Sequence, residues 1–370
     1  MNKDQKLPLA IVADILGTSK KVVNSWSENK LKPIIDQKTG KKFFLLDELR
    51  SLPSASFLFD TKWDEEERIK PQRNYKIIEL FAGAGGLALG LEKAGFQSLL
   101  LNEIDRDACE TLKKNRVNWN VKNCDIKDYD FTKFKGKVDL LTGGFPCQAF
   151  SYAGKKLGFN DTRGSLFYEF ARAIKETNPK VILAENVKGL VSHDSGKTLE
   201  TIRDIIDEIG YELVEPKVLK AIFYKVPQKR ERIFLVAIRK DLSRYVSFKY
   251  PAKFPKIFTL RDALKKGDLF NKDVPKTEGQ IYPQRKKEIL SKVPQGGYWR
   301  DLPDNLQREY MRGSYFLGGG KTGLARRLSW DEPSLTLTCA PAQKQTERCH
   351  PDETRPLTFR EYARIQTFPD

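Results

Sequence analysis

From Tyr75 to about Arg239, short apolar runs rich in β-branched residues alternate with helical segments. The first run, YKIIELF, leads into the glycine cluster AGAGG and then into the helical segment LALGLEKAG. This alternation predicts an α/β fold, with a mostly parallel sheet and helices on both faces. Ligands of such sheets bind at the carboxyl ends of the strands, and each motif discussed below follows or precedes a predicted strand at that edge.

The glycine cluster FAGAGG (81–86) lies between a predicted strand and a predicted helix. Glycines let the backbone turn tightly and approach a ligand, whose negative groups would face the helix N-terminus. Glu103, at the end of the second predicted strand, is placed to accept hydrogen bonds from ribose hydroxyls. These features predict a nucleoside-containing cofactor. Gly83, Gly85 and Ala88 also fit a loose GxGxxA, so a nicotinamide-dependent oxidoreductase stays open here, with a plain tight turn as the alternative without a ligand.

A cysteine follows a proline-stiffened turn in GFPCQAFS (144–151), after the predicted strand VDLLTGG. Cys147 is placed like a nucleophile, although a lone cysteine is more often a small buried hydrophobic residue. A cysteine attacks as thiolate, and no histidine is well placed to deprotonate it, which weighs against a cysteine protease or acyltransferase. Glu185 ends the strand KVILAEN at the same predicted edge, and QKRER (228–232) brings guanidinium groups there before the strand IFLVAIR.

Residues 1–60 are predicted to form a small helical module. The helical segment LPLAIVADILG ends at Gly17, a second helix KKVVNSWSENK follows, and a hairpin turning at Thr39-Gly40 precedes a further helix. This order is similar to the winged helix-turn-helix of MerR and excisionase proteins, which predicts DNA contact by the module. The residues on or beside its second helix are Lys20, Lys21, Asn24, Ser25 and Lys30. A dimerisation or packing module is the alternative. Residues 61–74 are highly charged and are interpreted as a linker.

Charge indicates the partner class. With 66 Lys and Arg against 49 Asp and Glu, the chain has a formal net charge of +17, which favours a polyanion. The excess is densest in 243–354, with 21 basic and 13 acidic side chains, where the strand–helix alternation is lost. We interpret this stretch as a separate, irregular domain and the first candidate for polyanion binding. A solvated basic face is the alternative.

Two classes are disfavoured by composition. Five scattered cysteines without a CxxC argue against a disulfide scaffold and against a zinc site. No apolar run approaches the ~20 residues of a bilayer span, and the start MNKDQKLPLA has no apolar signal core. We therefore expect a soluble, cytoplasmic protein without a membrane partner.

Eight blocks carry a family resemblance, and they occur in the order FAGAGG, NEID, CDIKD, GGFPCQAFS, DTRGSLFYEFAR, ENVKGL, VPQKRERIFLVAIR and RPLTFREYARIQTFPD. Together they resemble the DNA (cytosine-5) methyltransferases of restriction-modification systems. The resemblance implies a Rossmann-like S-adenosylmethionine-binding catalytic domain over 75–242, a target-recognition domain over 243–354 and a return to the catalytic domain over 355–370. It also implies a double-stranded DNA substrate, a cognate restriction endonuclease as functional partner, and a place at the nucleoid of the bacterial cytoplasm.

The same resemblance assigns roles to residues. The Cys147 thiolate would add to C6 of a flipped-out cytosine, so that C5 takes the methyl group of S-adenosylmethionine and S-adenosylhomocysteine is released. Glu185 would bind N3 and the exocyclic amine, while Arg232 and Arg230 would hold the base carbonyl and the glutamate. No metal is implied. Asp125 has an alternative interpretation as a helix cap. The implied cofactor-binding residues are Phe81, Gly83, Gly85, Gly86, Glu103, Ile104, Asp125, Ile126, Pro146 and Leu166.

One departure and two alternatives stay open. The family's last block, a glycine–asparagine element that completes the cofactor pocket, normally follows the FPD segment, and this chain stops at Asp370. We expect either a truncated chain or a second polypeptide that supplies the element. The alternatives are an RNA (tRNA) cytosine-5 methyltransferase and a helix-turn-helix transcriptional regulator with an inactive methyltransferase domain. Candidate base contacts, with loop packing as the competing interpretation, are Tyr298, Trp299, Arg300, Arg326, Arg327 and Lys344.

Overall fold

The computed structural model describes residues 5–26, 30–37, 40–146, 165–318, 322–338 and 341–370. Its α-helices are α1 (Leu9–Leu16), α2 (Lys20–Trp26), α3 (Trp63–Glu67), α4 (Gly86–Lys93), α5 (Arg106–Asn115), α6 (Leu166–Thr177), α7 (Lys197–Glu208), α8 (Lys240–Ser243), α9 (Leu260–Leu264), α10 (Gln284–Ser291), α11 (Asp304–Met311) and α12 (Phe359–Ile365). Its strands are β1 (Lys6–Pro8), β2 (Ile34–Ile35), β3 (Lys42–Leu45), β4 (Tyr75–Leu80), β5 (Phe96–Glu103), β6 (Val121–Asn123), β7 (Leu140–Gly143), β8 (Val181–Val187), β9 (Tyr211–Leu213), β10 (Lys217–Lys220), β11 (Gln228–Lys229), β12 (Glu231–Arg239) and β13 (Ser334–Leu335).

The chain divides into two compact units. The first unit contains Met1–Glu67, Lys220–Arg230 and Pro251–Asp370, and the second unit contains Arg68–Leu219 and Glu231–Tyr250. No helix in the described ranges is long and apolar enough to cross a membrane.

One twisted sheet organises the second unit. Its strand order is β10-β12-β8-β7-β4-β5-β6, with β9 also paired to β12. Strands β4 to β8 pair in parallel, while β12 runs antiparallel to β8 and β9, so the predicted mostly parallel sheet is confirmed. The strand order reverses between β4 and β7, which is the switch point where open sheets of this kind bind ligands.

Helices cover both faces of this sheet. On one face, Phe170 and Ile174 of α6 and Ile202 of α7 pack against strand residues such as Leu141 in one buried cluster. On the other face, Leu112 of α5 belongs to a smaller buried cluster with residues of α4, β5 and β6. Each buried aliphatic side chain contributes about 1.5–3 kcal/mol, so this two-sided burial holds the strand ends in place.

The amino-terminal module of the first unit, residues 5–58, has α1 and α2 beside a small antiparallel sheet of order β1-β3-β2. Gly17 ends α1 in a left-handed conformation, and the Ser19 hydroxyl accepts a hydrogen bond from Val22 N at 3.3 Å at the start of α2. The β2–β3 hairpin is confirmed. The sequence analysis placed Leu7 in a helix, and this is wrong: Leu7 lies in β1, because Pro8 is extended and α1 begins only after it.

This module shares its hydrophobic core with later segments of the first unit. Ile11 and Phe44 belong to one buried cluster with Ile222, Phe223 and Ile257. It is therefore built into the first unit rather than tethered to it.

Two further segments contribute a helix each to the first unit. Residues 61–74 include α3, whose Trp63 ring lies 5.3 Å from the Phe254 ring. Residues 355–370 include α12, where Thr358 and Glu361 form a capping box. Its Ile365 is buried in one cluster with residues of α9.

Candidate active site

The carboxyl ends of the parallel strands β5, β4, β7 and β8 form one row. Leu80 of β4 is in register with Asn102 of β5 and with Gly143 of β7, and Gly143 is in register with Ala184 of β8. The residue that follows each of these four positions is a predicted site residue or the neighbour of one. These residues are Phe81, Glu103, Gly144 and Glu185. The structure thus brings the two halves of the predicted site together at one sheet edge of the second unit.

Glu103 organises the glycine turn after β4. Its Oε2 accepts a hydrogen bond from Gly83 N at 2.7 Å, and its Oε1 accepts from the backbone N of Ile104 and Asp105 at 2.9 Å each. Bonds of this kind to a carboxylate are about twice as strong as neutral ones. The Glu103 carboxylate therefore fixes the turn as well as presenting itself at the strand end.

The backbone of this turn needs glycine at two places. Gly83 has φ +53°, and a Cβ there would meet nothing within 4 Å, so the turn leaves open space for a ligand. Gly85 has φ +83°, and a Cβ there would lie 2.5 Å from Leu112 Cδ2. Phe81 also has a positive φ of 57°, which is strained for a non-glycine residue. Gly86 begins α4 directly after the turn.

The side chains predicted to contact an adenine ring differ in exposure. Ile104 is 66% exposed beside Glu103, as an apolar ligand surface requires. Asp125 accepts a hydrogen bond from Lys127 N at 3.0 Å and caps a 3₁₀ turn, so its interpretation as a cap is confirmed. The Ile126 side chain is buried in the main cluster of the second unit, which leaves only its backbone for a ligand contact.

Glu79 is an acidic residue that the sequence analysis missed. It is 97% buried near the end of β4, and its Oε2 has no hydrogen-bond partner among the described residues. Burial, and then the negative charge of Glu103, raise the pKa of Glu79 to about 8. Its register partner on β7, Thr142, also has a buried hydroxyl without a partner in the described ranges. Its place beside the motif FAGAGG was the only sequence signal for Glu79.

Glu185 and Arg232 form the second half of the site. Arg232 Nε lies 2.7 Å from Glu185 Oε1, and their side chains are 20% and 25% exposed, in that order. Gly144 lies beside this pair, because a Cβ there would be 3.4 Å from Glu185 Oε2. A guanidinium therefore holds one carboxylate oxygen, and a residue without a side chain lies beside the other.

Asn186 ties the end of β7 to β8. Its Nδ2 donates to Phe145 O at 2.9 Å, and its Oδ1 accepts from Val187 N at 2.8 Å. Asn186 is buried, and Phe145 precedes the exposed Pro146. The sequence analysis quoted this asparagine within ENV without giving it a role.

The predicted nucleophile Cys147 lies outside the described residues, as does Cys339. Burial raises the thiol pKa of Cys109, Cys124 and Cys349, which makes each of them a poor nucleophile. Leu166 is described and half-buried at the start of α6, where it packs against the main cluster. Within the described ranges, no group of three or more His, Cys, Asp or Glu could hold a metal ion.

The remaining candidates belong to the first unit. Arg230 lies there, between β11 and β12, and its backbone N donates to Gln228 O at 2.9 Å. The proposed base contact by Arg327 is wrong: the side chain is 96% buried, and its guanidinium donates to carbonyls that include Leu290 O and Val293 O, both at 2.8 Å. Trp299 is likewise buried in the core.

Four of the base-contact candidates remain accessible. Arg300 and Lys344 are exposed, and Tyr298 and Arg326 are half-buried.

Comparisons with known proteins agree on one family. The model of the family described as C-5 cytosine-specific DNA methylase matches residues 75–370. The chain is 63% identical to Type II methyltransferase M.Eco47II of Escherichia coli and 59% identical to Type II methyltransferase M.PspPI of Psychrobacter sp. (strain TA137). Each match covers 99% of this chain and 88% of the relative.

A solved structure shares the fold. It is that of an E. coli DNA modification methyltransferase encoded within a prophage, with a TM-score of 0.59 and 22% identity. The match covers 80% of this chain and 89% of that chain.

Proposed function

The chain belongs to the C-5 cytosine-specific DNA methylase family, and from this premise we propose how its strand-end residues carry out methyl transfer. The protein is a DNA (cytosine-5-)-methyltransferase of a restriction-modification system and uses S-adenosylmethionine. The observation that carries the proposal is the row of strand ends, which places the Glu103–Gly83 turn and the Glu185–Arg232 pair at one edge of the sheet.

The turn after β4 fits the cofactor. S-adenosylmethionine supplies, when bound, an electrophilic methyl group on a positively charged sulfur. Gly83 leaves open space, and Ile104 offers an exposed apolar surface. Glu79, two residues before Phe81, has a buried Oε2 without a partner among the described residues. We assign Phe81, Gly85 and Gly86, the Asp125–Ile126 backbone, and Pro146 with Leu166 to the same pocket.

The Glu103 carboxylate can accept a hydrogen bond from one ribose hydroxyl. A carboxylate oxygen has two lone-pair positions. Oε1 already accepts from the backbone N of Ile104 and Asp105, whereas Oε2 accepts only from Gly83 N among the described donors. We therefore assign the ribose contact to Oε2, so cofactor binding and the shape of the glycine turn depend on the same oxygen.

We propose Cys147 as the nucleophile. The Cys147 thiolate would form a bond to C6 of the flipped cytosine as the C5–C6 double bond opens. C5 would then take the methyl carbon as the bond from that carbon to the cofactor sulfur breaks and S-adenosylhomocysteine leaves. Loss of the C5 proton to a base would restore the C5–C6 double bond as the sulfur–C6 bond breaks. Two features support this assignment. The three cysteines in the described ranges are poor nucleophiles, and Asn186 anchors the chain at Phe145, two residues before Cys147.

Glu185 is assigned to the N3 and amine edge of the cytosine. Arg232 holds Glu185 Oε1, and Gly144, which has no side chain, lies beside Oε2. Arg232 thus acts as the positioning group for the carboxylate, and together with Arg230 it is our candidate for the base carbonyl.

The experiment is methyl transfer from labelled S-adenosylmethionine to duplex DNA and to tRNA, with Cys147→Ala as control, followed by bisulfite sequencing of DNA from an expressing host. We expect label in duplex DNA, cytosine methylation in one short sequence, and none with Cys147→Ala. Label in tRNA alone would overturn the DNA assignment. Repression of a promoter that survives in Cys147→Ala, with no methylation by the wild type, would favour the regulator.

We also propose that the target sequence is shared with M.Eco47II and M.PspPI, because the identity of 63% and 59% extends over 99% of the chain, including residues 243–354. DNA from the expressing host should then resist the endonucleases of those two systems. Cleavage of fully methylated DNA by both endonucleases would refute the shared target.

Two finer assignments remain our proposals: association with the nucleoid and a cognate restriction endonuclease.

A further inference from the structure

Two adjacent apolar residues are exposed on the first unit. Phe316 and Leu317 follow the 3₁₀ turn Arg312–Tyr315, and Phe316 is 78% exposed. Single exposed apolar residues are common on proteins, but an aromatic ring this far in solvent keeps most of its hydrophobic area out of any core. A ligand that covers the ring is therefore stabilised by its burial.

Phe316 is the outer end of a series of aromatic contacts that begins in a buried cluster. The ring centroid of the buried Trp299 lies 6.0 Å from that of Tyr315, and the Tyr315 centroid lies 5.2 Å from that of Phe316, with both pairs edge to face. The Tyr315 hydroxyl also donates to Asp304 Oδ1 at 3.0 Å. The packed Tyr315 side chain therefore fixes the turn, and Phe316 is presented on a rigid support.

Arginine side chains lie on the same aromatic series. The Arg300 guanidinium lies 4.6 Å from the centre of the Trp299 ring, and the Arg308 guanidinium lies 5.3 Å from the centre of the Tyr315 ring. Arg312 begins the turn that precedes the exposed ring. Arg300 and Arg312 are exposed, and neither forms an ion pair within the described ranges. Both guanidinium groups can therefore bind an anionic ligand.

The acidic side chains of this segment already have partners. Asp304 Oδ2 accepts a hydrogen bond from Arg308 Nε at 2.8 Å, and the two oxygens of Glu309 accept from Arg285 at 2.7 and 2.6 Å. Asp301 Oδ2 accepts from a backbone N–H at 2.8 Å. An exposed ring beside exposed arginines is the combination that binds nucleic acid, because aromatic side chains stack on bases and cations contact phosphates. DNA is also what the enzymes of this family methylate.

We propose that Phe316 stacks on a base of the substrate duplex, with Arg300 on a neighbouring phosphate. The inference rests on the proposed function, because that duplex is the substrate of methyl transfer. The target cytosine must leave the base stack, and an apolar side chain that enters the stack offsets part of the free energy of unstacking. Stacking tolerates any base, so this contact contributes affinity and base opening rather than choice of sequence. Phe316 was not among the base contacts predicted from the sequence, because the exposure of its ring depends on the tertiary structure.

The test uses the full chain with Phe316→Ala, Phe316→Trp and Arg300→Gln. Phe359→Ala is the matched control, since Phe359 begins α12 in the same unit and is 62% exposed. Affinity for a duplex that contains the methylated site is measured by fluorescence anisotropy over a range of salt concentrations. We expect Phe316→Ala to bind about tenfold more weakly with an unchanged slope of log K against log salt, because no phosphate contact is lost. Arg300→Gln should instead reduce the magnitude of that slope by about 0.9, while Phe316→Trp and Phe359→Ala keep wild-type values.

A second readout reports on the base stack itself. The fluorescence of 2-aminopurine rises when this base is unstacked, so it replaces each base of the methylated site in turn. The wild type and Phe316→Trp should raise the fluorescence at the position that Phe316 contacts, and Phe316→Ala should not. The melting temperature of Phe316→Ala should stay that of the wild type, because the ring is exposed.

Wild-type affinity and wild-type 2-aminopurine fluorescence with Phe316→Ala would overturn the inference and leave methyl transfer standing. A dimer that Phe316→Ala dissociates, with DNA affinity unchanged, would overturn it as well and would assign the ring to a contact between two copies of the chain. A wild-type protein that binds duplex DNA but methylates none overturns the proposed function. In that case the affinity of Phe316→Ala for a mixed-sequence duplex still tests the stacking contact.

Discussion

Arg232 Nε lies 2.7 Å from Glu185 Oε1, although the two residues are not directly opposite in their antiparallel strands. Arg232 is in register with Val187, and Glu185 is in register with Phe234. Arg232 and Glu185 are therefore diagonal neighbours on one face of the sheet, a spacing that only long side chains bridge. The ion pair therefore depends on the length of both side chains.

Replacing Arg232 should impair the chemical step. Arg232→Ala leaves Glu185 without its guanidinium, and we expect kcat to fall by about 10²–10³-fold, as for the loss of one preorganised donor. Arg232→Lys should be intermediate, because an ammonium lacks the planar fork. Single-turnover methyl transfer measures this effect. Arg203→Gln, which removes an exposed pair with Glu215, is the control, and equal rates for all four proteins would contradict the assignment.

Replacing Glu103 should weaken cofactor binding. Glu103→Gln puts an amide donor where three backbone N–H groups and a ribose hydroxyl require acceptors. A lost charge-assisted hydrogen bond costs about 1.5–3 kcal/mol, so KM for S-adenosylmethionine should rise about tenfold or more, with a smaller change in kcat. Steady-state kinetics checks this, with Glu110→Gln on the exposed part of α5 as control. An unchanged KM would remove Glu103 from the pocket.

Asn186 should affect kcat, because it positions the start of the segment that follows β7. Asn186→Ala removes the donor to Phe145 O, and we expect kcat to fall about tenfold while KM for the cofactor changes little. The control is Asn120→Ala, which removes a comparable bond to Leu99 O at 2.8 Å in the same unit. A loss of melting temperature without a loss of kcat would reduce Asn186 to a structural role.

Glu79 should make stability fall with rising pH. The folded protein keeps the Glu79 proton up to about pH 8, whereas the unfolded chain loses it near the ordinary value of 4.5. Because the unfolded state binds fewer protons between these two values, the free energy of unfolding decreases as pH rises through this window. Glu79→Gln should remove that decrease and raise the melting temperature most at about pH 8 and above. If the melting temperatures of wild type and Glu79→Gln change with pH in the same way, Glu79 ionises near its ordinary pKa.

Replacing Arg327 should destabilise the protein, whereas replacing its neighbour Arg326 should not. Arg327→Ala leaves several buried carbonyls, Leu290 O and Val293 O among them, without a donor, and should destabilise the first unit by about 3 kcal/mol or more. Arg326→Ala should leave stability nearly unchanged, because this side chain lies over the Tyr298 ring and forms no hydrogen bond or ion pair with the described residues. Urea unfolding measures both. Similar unfolding midpoints for the two variants would contradict the structural role of Arg327.

The order of elements could be predicted from the sequence because its signals are local. The spacing of apolar residues, the glycine turns and the strand ends each depend on neighbouring residues. The sequence therefore predicts that Phe81, Glu103 and Glu185 lie at one edge of a parallel sheet. The hairpin after Thr39-Gly40 was predicted for the same reason. Strand β1 was not, because a three-residue strand beside Leu45 has no period of its own.

The burial of individual side chains and their hydrogen-bond partners could not be predicted from the sequence. Arg327 stood beside Arg326 as an equal candidate for base contact, and only the packing of distant segments shows that one is enclosed and the other accessible. The role of Asn186 likewise depends on its hydrogen bond to the carbonyl of Phe145, a residue that follows the neighbouring strand β7.

The sequence by itself determined the α/β class, the family motifs and the residue types at the strand ends, since these depend on contacts within a few residues. Only the tertiary structure decided that Glu185 meets Arg232 on a diagonal and that Ile11 shares a buried cluster with Ile222. The physical reason is that such pairs are separated by tens to hundreds of residues. Their closeness follows from the burial of whole sheet faces and shared cores, which no local pattern encodes.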